Sequence, residues 1–155
     1  MCPHPLATHC SRSIASSSTS RFSARVLLSA FDMVKALLRG KYADAYGMLD
    51  ALFAQKTEPV MIAGALISSY IDMYRAKAAL ASGERVEAVA QAFNYKGREF
   101  RLRYAAQDAS RLTLAQLGTC LDILSEADEA LKSTRAEKRL VLEEAMLRLQ
   151  CVASG

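Results

Sequence analysis

The side chains with the most chemistry to offer stand in one run, Tyr95-Lys96-Gly97-Arg98-Glu99-Phe100-Arg101-Leu102-Arg103-Tyr104. Residues 84–93 before it form a short amphipathic stretch, and Asn94 and Gly97 supply a tight turn. Together, residues 84–109 have the length of a helix-turn-helix. On its second helix Arg98, Arg101 and Arg103 would meet phosphates and base edges, with Lys96 at its start. Glu99 and Asp108 interrupt that basic face, and Phe100 and Tyr104, four apart, read as packing residues. The sequence therefore favours a structural helix pair whose basic face is solvated or meets a protein.

A second basic cluster, Lys132, Arg135, Lys138 and Arg139, surrounds the last interhelical turn. The final helix begins there, so free N–H groups and the positive end of a helix dipole come with the charges. That combination suits a phosphate, and the plain alternative is a solvated loop. Asp128 falls at the edge of the apolar seam formed by Leu117, Leu121, Leu124 and Leu131, with Lys132 four residues on. Asp128 and Lys132 are then either a partly buried pair that fixes helix register or an ordinary surface pair.

No reaction centre accompanies these groups. The phosphate loop GxxxxGK[ST] and the dinucleotide motif GxGxxG are both absent. No histidine lies in the part that should fold, which removes the commonest general base and metal ligand. The pairs Glu143/Glu144 and Glu126/Asp128 are one or two residues apart, and helical neighbours at that spacing do not share a face. Neither a catalytic residue nor a cofactor is expected. Cys2, His4, His9 and Cys10 sit together in the head but lack a CxxC spacing, so no metal site is expected either. Cys120 and Cys151, in helical segments, read as small buried hydrophobes of a reducing cytosol, which places the chain in the cytoplasm.

The elements that must position these groups are helices. The chain of 155 residues is one domain by length, about half hydrophobic and poor in Pro and Gly. Much of its net charge of +4 is local, since Arg12, Arg21 and Arg25 precede the first acid, Asp32. A global basic field for nucleic acid is thus unsupported. The longest uncharged apolar run, residues 59–71, falls short of the ~20 residues a bilayer requires. Residues 1–24 form a Ser-rich head without enough apolar side chains to order, and residues 25–152 form the helical domain. The head's Ser, Thr and Arg with no acid resemble a transit peptide in composition, and we read it as a leader that does not fold.

Leu27, Phe31, Val34 and Leu38 recur at helical spacing until Gly40 stops the helix. Tyr42, Ala45, Tyr46, Leu49, Leu52 and Phe53 form the next stripe. Thr57 is the expected cap, and Pro59 the first residue, of a long apolar helix central to the bundle, closed by Gly83. Val86, Val89, Ala90 and Phe93 line a short helix, and a basic helix follows from about Gly97 to Ala109. Thr113 with Gln116, and Thr134 with Glu137, spell capping boxes for two more helices, the last lined by Leu142, Ala145, Met146 and Leu149. The expected fold is all-α, six or seven helices. Phe31, Leu38, Leu49, Phe53, Leu66, Ile67, Phe93, Leu121, Leu124, Leu142 and Leu149 should be buried.

The order of these segments resembles a known family. Phe31-Asp32-Met33-Val34-Lys35-Ala36-Leu37-Leu38-Arg39-Gly40 is followed by Leu49-Asp50, then by Glu58-Pro59 opening a helix that runs to Tyr74-Arg75-Ala76. Lys96-Gly97-Arg98-Glu99-Phe100-Arg101, Glu126-Ala127-Asp128-Glu129-Ala130-Leu131-Lys132-Ser133 and Val141-Leu142-Glu143-Glu144 complete the series. It looks like the C-terminal domain of the delta subunit of bacterial DNA polymerase III, a clamp-loader protein. The resemblance implies a helical collar that assembles with delta-prime and tau/gamma-type subunits in DNA replication, touching DNA weakly or indirectly. It implies no ATPase site. It covers only the last third of a delta subunit, so contact with the sliding clamp, which belongs to the family's N-terminal AAA+-like region, is not expected. The alternative is a small DNA-binding regulator using residues 84–109. The face on which Arg98 and Arg101 lie distinguishes the two.

Overall fold

A computed structural model describes residues 15–133 and 135–155. Among them the chain forms seven helices and no strand: α1 (Ala15–Leu38), α2 (Tyr42–Ala54), α3 (Pro59–Ala81), α4 (Val86–Ala92), α5 (Glu99–Ala109), α6 (Leu114–Lys132) and α7 (Lys138–Ser154). The all-α expectation holds. No helix among the described residues is long and apolar enough to cross a membrane.

The apolar helix α3 is the hub, packing against α1, α4, α5, α6 and α7. Its buried side chains include Ile62, Leu66, Tyr70 and Met73, which point in several directions because neighbours lie on several sides. The main core joins α1, α2, α3, α6 and α7 with the inner face of α5. A smaller core of Ala79, Val89, Ala90, Tyr95 and Leu102 holds α4 and the turn after it against α3.

The ends of the first four helices share one closure. A residue in the left-handed region, Gly40 (φ 73°), Lys56 (φ 56°), Gly83 (φ 74°) or Asn94 (φ 56°), follows each helix. The next backbone N–H then reaches back to a carbonyl of the last turn, as Lys41 does to Ala36 at 2.8 Å and Thr57 to Leu52 at 3.0 Å. This Schellman geometry satisfies carbonyls that the helix itself cannot. Glycine takes that conformation at low cost, whereas Lys56 and Asn94 adopt it with a side chain.

Several local expectations hold and several need correction. Thr113 and Gln116 form the full capping box: Gln116 N–H donates to Thr113 Oγ1 at 3.1 Å and Thr113 N–H to Gln116 Oε1 at 2.9 Å. Pro59 opens α3, but its cap position is Glu58 and not Thr57. The turn at Lys56 rolls Thr57 inward, where its hydroxyl is buried without a hydrogen-bond partner. Glu137 is itself the cap of α7, accepting from the N–H groups of Arg139 at 3.2 Å and Leu140 at 2.7 Å. The proposed box with Thr134 rests on a residue outside those described.

Helix α1 starts at Ala15, ahead of the Arg25 where its apolar pattern begins. Once the packed part exists, each added residue gains a hydrogen bond without a new nucleus, so the helix extends backwards into Ser-rich sequence. Residues 1–14, with both head cysteines and both histidines, lie outside the described residues.

Leu49, Leu66, Leu124, Leu142 and Leu149 are buried as expected. Leu38, Phe53, Ile67 and Leu121 are half-buried against the core, and Phe31 is half-buried under the Arg101 guanidinium. In α1 the deepest line is Val26, Ala30, Met33 and Leu37, one residue round from the expected stripe, because α1 meets α2, α3 and α7 on different sides. Phe93 is exposed, at 53%. It lies past the last turn of α4, and the left-handed Asn94 sends Tyr95 into the small core in its place. Cys120 is buried, but Cys151 is exposed and not the packed thiol expected.

Candidate interaction surface

The basic-aromatic run folds as the turn after α4 and the helix α5, and the core decides its orientation. The inward positions of α5 are Arg101, Leu102, Ala105 and Ala109. The two alanines let the helix lie close to α3, and Arg101 answers an acid on it. That acid is Asp72, the single charge between Glu58 and Arg75 and the one acidic residue of α3. Arg101 Nη2 lies 2.7 Å from Asp72 Oδ2, with the two side chains 8% and 3% exposed. The Arg101 guanidinium also packs on the Phe31 ring, 5.2 Å from its centroid, so one side chain ties α5 to both α1 and α3.

Tyr95 completes the network. Its hydroxyl donates to Asp72 Oδ1 and accepts from Arg75 Nη1 at 2.9 Å. Burial, then the bond to the Asp72 carboxylate, raises the Tyr95 pKa above the usual 10.0. The Arg75 guanidinium lies 4.0 Å from the centroid of the exposed Phe93 ring, a cation–π stack. A buried carboxylate thus holds the turn, and the turn presents Phe93 and Arg98 to solvent.

This arrangement corrects two expectations. Arg101 does not project from the surface as a DNA-reading side chain would, because α3 carries a buried acid opposite it. Phe100 and Tyr104 are not packing residues; they are 52% and 53% exposed and meet each other edge to face at 6.5 Å. Lys35 of α1 sits over the Tyr104 ring at 5.0 Å. With α4 only seven residues long and Arg101 turned inward, the helix-turn-helix reading loses its central reading residue.

The other cations of the run divide between two clefts. Lys96 and Arg103 line one of about 460 Å³ between α4 and α5, together with Glu87 and Glu99. Arg98 and Arg101 line one of about 220 Å³ on the α3 side, together with Arg75, Asp72, Tyr95 and Phe93. Sequence reasoning missed Arg75 and Asp72 as members of a site. The available signal was Asp72 itself, since an acid set among apolar residues of a central helix must find a partner.

The second basic cluster, on the turn between α6 and α7, lines neither cleft. Lys132 pairs with Asp128 at 2.5 Å, with side chains 62% and 24% exposed, which is the surface-pair reading. Lys138 Nζ donates to the carbonyls of Leu131 and Ser133 and closes the end of α6. Arg139 binds Glu143 at 2.7 Å and reaches Asp50 on α2. The carboxylate of Glu137 already occupies the N–H groups that a phosphate would need. Arg135 stays exposed.

Among the described residues no three or more His, Cys, Asp or Glu side chains are grouped to hold a metal. The cleft residues can bind anions or a partner surface.

No curated protein sequence matches this chain. Among solved structures, the Bacillus subtilis DNA clamp loader delta protein (YqeN) shares the fold, with a TM-score of 0.75 at 21% identity. The match covers 81% of this chain and 37% of that protein, so the chain spans well under half of its structural neighbour. The profile of the family described as DNA polymerase III delta subunit, C-terminal domain, matches residues 28–149. That span takes in α2 to α6 whole, the second half of α1 and most of α7, and the chain belongs to this family, the C-terminal domains of DNA polymerase III delta subunits.

Proposed function

We propose that this chain acts as the collar-type domain of a clamp-loader delta subunit, joining delta-prime and tau/gamma-type subunits through helical surfaces in the bacterial cytoplasm. The observation that carries the reading is the family match over residues 28–149, which takes in the hub helix and all or part of every helix packed on it. The surface supports it. Leu80, Phe93, Phe100, Tyr104, Leu140 and Leu147 are each more than half exposed, and exposed aromatics beside arginines are the material of protein interfaces.

The role is assembly and not catalysis, and no cofactor enters it. DNA is a weak or indirect partner. Lys96, Arg98, Arg103 and Arg135, exposed and outside any ion pair among the described residues, carry that contact. Sliding-clamp contact forms no part of the proposal.

A domain exchange tests it. Residues 25–152 replace the C-terminal domain of a full-length delta subunit, and the exchanged protein is mixed with its partner subunits. Native mass spectrometry should detect a complete loader. A folded exchange protein that leaves the other subunits unassembled would refute the assembly role.

A further inference from the structure

We propose that the cleft between α3 and the α4–α5 turn is a phosphate-binding site built from Arg75, Arg98 and Arg101. This goes beyond the assembly role and does not rest on it. The cleft, of about 220 Å³, is lined by three guanidinium groups and a single carboxylate, Asp72. Two positive charges are therefore left uncompensated. A phosphate monoester carries about −1.5 to −2 near neutral pH, which matches that excess better than one carboxylate would. The neighbouring cleft between α4 and α5 has Lys96 and Arg103 against Glu87 and Glu99, and its balanced charge gives no such preference.

Hydrogen-bond capacity points the same way. A guanidinium offers five N–H donors. Arg75 spends one on the Tyr95 hydroxyl. Arg101 gives Nη2 to Asp72 and, at 3.5 Å, to Ser68, while its buried Nε has no partner. Arg98 is exposed and makes no side-chain hydrogen bond or ion pair among the described residues. Donors thus outnumber acceptors on one side of one concavity, and planar guanidinium groups suit the oxygens of a phosphate. The framework is rigid as well. Arg75 is stacked on Phe93, and Asp72 fixes Arg101, so only Arg98 must order when an anion enters.

The phosphate is either free or part of a nucleic acid, and the experiment separates these. The full chain is titrated with inorganic phosphate at constant ionic strength, following the arginine Nε–H signals by NMR. A single-stranded oligonucleotide is then added with and without a 5′-phosphate. Saturable movement of the Arg75 and Arg98 signals, reversed by sulfate, is expected. Arg98→Gln should weaken binding by about tenfold or more, one charge-assisted contact being worth that much. Arg98 is exposed, so the variant should keep the parent unfolding midpoint. Preference for the 5′-phosphorylated strand assigns a terminal phosphate, equal binding of both strands assigns the backbone, and binding of inorganic phosphate alone assigns a free anion. The proposal is overturned if the signals do not saturate or if Arg98→Gln binds phosphate as the parent does. It is also overturned if a glutamate-rich peptide moves these signals where phosphate does not, which would make the cleft a protein-docking site.

Discussion

Arg101 and Asp72 form a buried ion pair, 2.7 Å between Nη2 and Oδ2, that joins α5 to the hub helix α3. Taking one partner away leaves a charge in the interior without compensation, which typically costs about 3–5 kcal/mol. Asp72→Asn should lose stability on that scale in urea unfolding. The double change Asp72→Leu with Arg101→Leu should recover most of it, because neither charge is then buried. Near-neutral single variants would show that water reaches the pair.

Alkaline pH should unfold the chain early. Burial raises the Cys120 thiol from the ordinary 9.0 to about 12. Tyr46, Tyr70 and Tyr95 are likewise held above the usual 10.0, each chiefly by burial. These groups stay protonated in the fold at pH values where the unfolded chain has released its protons. Unfolding therefore releases protons, and stability falls as pH rises. The contribution of Cys120 is whole below pH 9 and is lost between there and about 12. The urea midpoint should hold steady from pH 7 to 8.5 and then decline. Cys120→Ala should move the start of that decline up towards the tyrosine range.

Lys56 stands at φ 56° in the closure of α2, with a side chain where glycine is at ease. Lys56→Gly removes the strain at some cost in unfolded-state entropy, for a net gain of about 0.5 kcal/mol. The thermal midpoint should rise slightly. A fall would mean that the Lys56 side chain contributes more than its backbone costs.

Glu137 caps α7 through two N–H groups. Glu137→Ala should cost about 1 kcal/mol. Glu137→Asp, with a shorter acid, should retain part of that stability. If both variants match the parent in urea unfolding, the cap contributes nothing.

Local chemistry was legible and tertiary orientation was not. The closure at Gly40 and Gly83, the start at Pro59 and the box of Thr113 with Gln116 follow from residues within a few positions of one another. The family resemblance carried by residues 31–150 was also legible, and the match over residues 28–149 agrees with it. The rotation of α5 depends on what α3 presents opposite it. Asp72 draws Arg101 inward and leaves Phe100 and Tyr104 outside, against the simple expectation that aromatics pack and arginines face water. Thr57 and Phe93 were misplaced for a related reason. The left-handed residues beside them, Lys56 and Asn94, are not glycines and do not announce the turn.

The central claim is that this helical domain assembles with clamp-loader subunits without help from nucleotide. The most direct measurement is size exclusion with mass detection on the chain mixed with delta-prime and tau/gamma-type subunits, with and without ATP. Circular dichroism should first confirm that the chain is helical. Co-elution in a defined stoichiometry, unchanged by ATP, is the predicted result. A folded chain that elutes as a free monomer in both conditions would contradict the account.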